Sequence, residues 1–208
     1  CIVDGRARLA PGGVDARRVA KVPLQIRPHG RENLGRERGG GMTDLFRIGA
    51  KVYCTKGAEI DLEVLLPVFH RWIQQKLGPH MLIDVADYSH VPSGPGILLV
   101  AHEGNYSLDD HGGRRGLTFY RKQPLDGPLD ARLLAVARDV VTAAQRLTTE
   151  PELAGRLEFS GAELTVYFND RLNAPNTDEC FAAVKAPLAG LFDRALGAGA
   201  KLTRADDP

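Results

Sequence analysis

Leu82-Ile-Asp-Val-Ala-Asp-Tyr-Ser-His90, Ile97-Leu-Leu-Val-Ala-His-Glu-Gly-Asn-Tyr-Ser-Leu108 and Leu117-Thr-Phe-Tyr-Arg121 are three β-prone runs in close succession. Val91-Pro-Ser-Gly-Pro-Gly96 separates the first two, and Gly112-Gly113 turns the chain between the second and third. Connections this short join antiparallel neighbours. The stretch therefore predicts a three-stranded antiparallel meander, and the rest of the chain is read outward from it.

Upstream, Lys51-Val-Tyr-Cys-Thr55 is a short strand closed by Gly57. Leu62, Leu65, Leu66, Phe69, Trp72, Ile73 and Leu77 then recur at helical spacing, with Asp61 as cap and Gly78-Pro79 as stop. Pro67 is tolerated because it falls near the first turn. Downstream, Leu129, Leu133, Val136, Val140, Ala144 and Leu147 mark a second helix, ended by Pro151 and Gly155. Leu157–Phe159 and Glu163–Phe168 read as strands. A third helix carries Phe181, Val184, Leu188, Leu191, Phe192 and Ala195, with Asn176 and Glu179 as its capping pair and Pro187 expected to kink or split it. The order β-α-β-β-β-α-β-β-α lacks the strict alternation of a parallel doubly wound sheet. The fold class is therefore α+β: a mainly antiparallel sheet with about three helices packed chiefly on one face.

Charge divides the chain unevenly. Residues 1–41 hold nine Lys/Arg against four Asp/Glu, no aromatic residue and eight glycines, whereas the remainder holds eighteen Lys/Arg against twenty-two Asp/Glu. Such a head cannot bury enough apolar surface to offset its ordering entropy, so 1–41 is expected to be a disordered basic segment. In one reading it touches nucleic acid or lipid through Arg17, Arg18, Lys21, Arg27, Arg31, Arg36 and Arg38. In the favoured reading it is not translated. Met42 then opens the protein, and the purine-rich codons available to Glu37-Arg38-Gly39-Gly40 act as a ribosome-binding sequence. The single domain is expected over 42–198, with 199–208 a frayed tail.

No run approaches the roughly 20 apolar residues of a membrane span, and the head lacks the apolar core of a secretory signal. Cys1, Cys54 and Cys180 show no paired or zinc-binding spacing, which fits reduced thiols in a cytoplasm. The mildly acidic body has no basic aromatic stripe for nucleic acid. Pro92–Gly96 precedes a strand and lacks the Lys-Ser/Thr of a phosphate loop. His102-Glu103 is not a metalloprotease motif, because Tyr106 stands where the second His is needed. No Gly-x-Ser-x-Gly elbow is present.

The meander does concentrate polar groups. If Ile97–Leu108 is one strand, alternation puts His102 with Leu98, Val100, Tyr106 and Leu108 on the core face. Either register of the first strand then sets Asp84 or Asp87 on that face too. His70, beside the apolar stripe of the first helix, can reach the same region. Such a cluster suits a general base or a divalent metal ligand set. The competing and more common arrangement is a core histidine whose aspartate merely fixes its tautomer. At hairpin ends, Asp109, Asp110, His111 and His90 read as solvated polar residues. In Asn169–Asn176, Arg171 can clamp a carboxylate or phosphate with Asn169 and Asn173 beside it, although Asn, Asp and Pro are also ordinary turn residues.

Pro67-Val-Phe-His-Arg-Trp-Ile-Gln74, Leu82–His90, Gly94–Asp109 and Asn169–Asn176 resemble stretches of a bacterial family of uncharacterised proteins. The resemblance covers most of 51–196 and excludes the head. It implies no activity and transfers no functional residue. The functional expectation is a cytoplasmic accessory domain that binds a small molecule or protein partner, with homodimerisation through an exposed sheet face compatible with it. The alternative is a small metal-assisted or acid/base enzyme using His102, Asp84 or Asp87, and His70. The sequence identifies no cofactor.

Overall fold

The computed structural model describes residues 2–6, 45, 47–91, 94–170, 172–197 and 200–205. Among these residues, nine strands form one sheet in which every pairing is antiparallel: β1 Ile2–Arg6, β2 Ile48–Lys56, β3 Leu82–Tyr88, β4 Gly96–Ala101, β5 Gly104–Asp109, β6 Gly116–Arg121, β7 Glu158–Phe159, β8 Glu163–Phe168 and β9 Lys201–Arg204. The spatial order is β3-β4-β5-β6-β2-β8-β1-β9, with β7 paired to β2. Helices α1 Leu65–Gln74, α2 Leu129–Thr149 and α3 Asp178–Leu196 complete the α+β fold.

One sheet face carries the core. Paired residues point the same way, so Leu99, Tyr106, Phe119, Ala50, Val166 and Val3 form an apolar row from β4 to β1. Val68, Phe69 and Trp72 of α1, Leu133, Val136 and Val140 of α2, and Val184, Leu188 and Phe192 of α3 join the same buried cluster. Burying each such side chain contributes about 1.5–3 kcal/mol. The next row points to the opposite face and is polar: Ser107, Thr118, Lys51, Thr165, Asp4 and Thr203 stand side by side across six strands.

Several expectations change. The run Ile97–Leu108 is two strands, because the chain reverses through His102-Glu103. At the foot of that turn Gly104 lies so close to β6 that a Cβ would fall 2.5 Å from the Tyr120 carbonyl oxygen. The meander is therefore four-stranded. Part of the head is ordered: Val3 is fully buried between Val166 and Arg204, and Gly5 leaves the space filled by the Phe192 ring. The expected tail likewise supplies β9. The domain thus draws on residues outside 42–198, while 7–44, Met42 included, lie outside the described residues.

Local capping also differs. Asp61 caps a 3-10 turn, Leu62–Val64, that leads into α1, as the sequence suggests. Thr177, rather than Asn176, caps α3 through its Oγ1, which accepts from the Cys180 N–H at 3.3 Å. Pro187 sits inside α3 without dividing it. Its neighbours Val184, Leu188 and Leu191 are buried, and their packing outweighs the one missing backbone hydrogen bond.

Candidate functional site

The histidine–aspartate group expected from the sequence does not assemble. His102 is exposed at the β4–β5 turn, where its backbone N–H donates to the Met81 carbonyl at 2.9 Å. Asp84, Asp87 and His70 are exposed as well. Asp84 accepts from the adjacent Val85 N–H at 2.8 Å, and Asp87 takes both the N–H and the hydroxyl of Ser89. Asn169 and Asn173 are exposed, and Asn173 closes a turn by donating its Nδ2 to Asp170 at 2.8 Å. Arg171 lies outside the described residues.

A different histidine is buried against acidic groups. After α1 the chain turns through Lys76 and Gly78, both at positive φ, and Pro79. This delivers His80 into the gap between α2 and the meander. Its ring stacks on Phe119 at 5.0 Å and 9° and lies 5.9 Å from Tyr106. Nε2 is 3.1 Å from Asp139 Oδ2 on α2, and Nδ1 is 3.7 Å from Glu103 Oε2 in the β4–β5 turn. Only 6% of the His80 side chain is exposed. Burying these groups together is tolerable because they satisfy one another.

His80, Tyr106 and Asp139 line a narrow crevice with Trp72, Leu77, Ala143 and Arg146, whose free volume is about 20 Å³, room for roughly one water molecule. Burial pushes the Tyr106 phenol above its ordinary range, and the charges of Asp139 and Glu103 add to this. Burial alone would raise Glu103, but hydrogen bonds from backbone N–H groups, Met81 among them, and the nearby histidines hold it below the usual range. The crevice thus offers a neutral phenol and an imidazole–carboxylate couple beside apolar walls, with Glu103 near the other ring nitrogen of His80. Such a set can orient a polar group or relay a proton.

Lys51 and Asp109 form the other buried polar centre. The Lys51 ammonium donates to Asp109 Oδ1 at 2.8 Å, the His111 carbonyl at 3.0 Å and the Arg114 carbonyl at 2.9 Å. Asp109 in turn accepts from the Ser107 and Thr118 hydroxyls and the His111 N–H. Every ammonium proton is engaged, so this is a structural staple for the β5–β6 connection. Asp109 is consequently not the solvated hairpin-end residue expected: it is 5% exposed. Gly116 makes the staple fit, since a Cβ there would fall 2.6 Å from the lysine stem.

Burial raises the Cys54 thiol to about 12, which leaves it a poor nucleophile. Among the described residues, no three His, Cys, Asp or Glu side chains are placed to hold a metal ion, and no helix is long and apolar enough to cross a membrane. Local pattern offers no route to His80: its partners lie 59 and 23 positions away, one on a helix and one in a turn, where no periodicity connects them. No family model, curated protein or solved structure matches the chain.

Proposed function

We propose that this protein is a cytoplasmic small-molecule-binding domain whose ligand docks over the mouth of the crevice between α2, the α1–β3 connection and β5 and reaches His80 with a small terminal group. The observation that carries the reading is His80, held against Asp139 in a narrow, mostly apolar crevice. Apolar walls with a few convergent polar groups are the usual make-up of a ligand site. Desolvating an imidazole and a carboxylate costs stability, which a purely structural position would avoid with an apolar pair. The free thiols of Cys54 and Cys180 support the reducing compartment.

Thr142 is exposed on the crevice wall, so Thr142→Trp plugs the mouth without entering the core. Metabolites that raise the melting temperature of the wild type are expected to lose that effect in Thr142→Trp. Hits that persist unchanged in the plugged variant place the ligand elsewhere.

A second reading is favoured by the same couple: an acid/base enzyme in which Asp139 orients His80 as the base. With a substrate found by such screening, Asp139→Asn lowers kcat far more than KM if His80 is a base. In a domain that only binds, neither the wild type nor Asp139→Asn turns the molecule over.

A further inference from the structure

We infer that His80 is a proton-operated clasp: protonated, it donates from both ring nitrogens and ties the β4–β5 turn to α2; neutral, it holds α2 alone. The inference concerns the packing around the ring and does not depend on a ligand at the crevice.

Two carboxylates from different elements face the two nitrogens of one imidazole. Asp139 of α2 is hydrogen-bonded to Nε2 at 3.1 Å, and Glu103 of the turn stands 3.7 Å from Nδ1, just beyond hydrogen-bond distance. A neutral ring that donates through Nε2 has a lone pair on Nδ1, which repels a carboxylate oxygen. A proton on Nδ1 replaces that repulsion with a charge-assisted bond, ordinarily about 2.7–2.9 Å long. The ring is the fixed partner, since it lies flat on Phe119 and its side chain is 6% exposed. Glu103 is the freer one, 28% exposed and carried by a two-residue reversal between β4 and β5. Shortening the gap therefore draws the turn toward α2. The same Glu103 Oε2 accepts the Met81 N–H at 3.0 Å, so this amide reports how firmly Glu103 is held.

The neighbouring charges leave the proton to His80. Burial alone would raise Glu103, but backbone hydrogen bonds and the nearby histidines hold it below the usual range, so it stays ionised where an imidazole titrates. On β5 the buried Tyr106 phenol stays neutral, with the Arg121 charge of β6 acting on it. Arg146 of α2 lines the crevice beyond Asp139, and His102 stands exposed beside Glu103 in the turn. Trp72 of α1, Leu82 of β3 and Phe119 of β6 do not titrate. The closed clasp holds one proton more than the open one, so it is favoured as the pH falls.

The test compares the ¹⁵N-labelled full chain at about pH 5.5 and about pH 8, either side of the ordinary imidazole value of about 6.5. Long-range spectra of the His80 ring are expected to show protons on both nitrogens at the lower pH and on Nε2 alone at the higher. After correction for the intrinsic exchange rate, the Met81 amide should be protected at least about tenfold better at the lower pH. Glu103→Gln should abolish that dependence, because its amide offers an oxygen to the protonated ring and an N–H to the neutral one. His102→Asn should keep it. One ring state at both pH values, equal Met81 protection, or a dependence that survives Glu103→Gln overturns the clasp. So does loss of the dependence in His102→Asn, which assigns the switching proton to His102. The wild-type comparison alone decides whether the switch exists, even where a variant fails to fold.

Discussion

His80 and His102 are the same side chain in opposite settings. His80 stacks on Phe119 with Tyr106 alongside and faces Asp139, whereas His102 stands in water at a turn. His80→Ala removes a packed ring and strands a buried carboxylate, and is expected to cost about 2–4 kcal/mol in urea unfolding. His102→Ala should stay within about 0.5 kcal/mol of the wild type. The opposite ranking would refute the placement of both residues. The sequence did indicate that a buried imidazole would need an acidic partner, which is a matter of desolvation. It could not indicate which histidine. His80 follows Gly78-Pro79, where nothing in the pattern separates a loop that turns inward from one that turns out.

Reading Ile97–Leu108 as one strand puts His102 on the core face, and the parity of the buried positions shows why it is not there. Core-facing positions are Ile97, Leu99 and Ala101 before the turn, then Gly104, Tyr106 and Leu108 after it. The change from odd to even marks a two-residue reversal, since one continuous strand keeps its parity. Leu98 and Val100 are also apolar, and they hid the change. The helices were more legible, because the stripes of α1 and α2 depend on a period sustained over several turns. At one edge of the sheet, β3 exposes Ile83 and Tyr88 beside a row of backbone groups that no strand among the described residues pairs. Asp84 covers the Val85 N–H, and the register shifts between Leu82 and Asp84. Charges and irregularities of this kind discourage strand addition. Asp84→Ala uncovers that N–H and removes a repelling charge, so sedimentation velocity should show concentration-dependent self-association absent from the wild type. A variant that stays as monodisperse as the wild type would mean the edge is protected by something else.

At the scale of the whole molecule, the expected boundary at 42 failed because composition averages over a segment. Five residues, Ile2 to Arg6, form a strand between β8 and β9, though the forty-one-residue segment they belong to carries no aromatic residue. A β-branched pair and a glycine that admits Phe192 are enough when a partner strand waits more than 150 positions away. Local pattern cannot register so distant a pairing. Val3 is fully buried, so Val3→Asp should cost about 3 kcal/mol or more and lower the melting temperature. An unchanged melting temperature would show that these residues do not belong to the sheet.

The saturated ammonium of Lys51 also has a consequence for descent. A change of one base turns a lysine codon into an arginine codon, and on most surfaces that exchange passes unnoticed. Here three acceptors surround a tetrahedral –NH₃⁺, an arrangement that a flat guanidinium fork cannot match. Lineages that keep Asp109, Ser107 and Thr118 should therefore keep lysine at 51 against a mutation that arises easily. Those that lose it should lose the aspartate too, exchanging both for apolar residues.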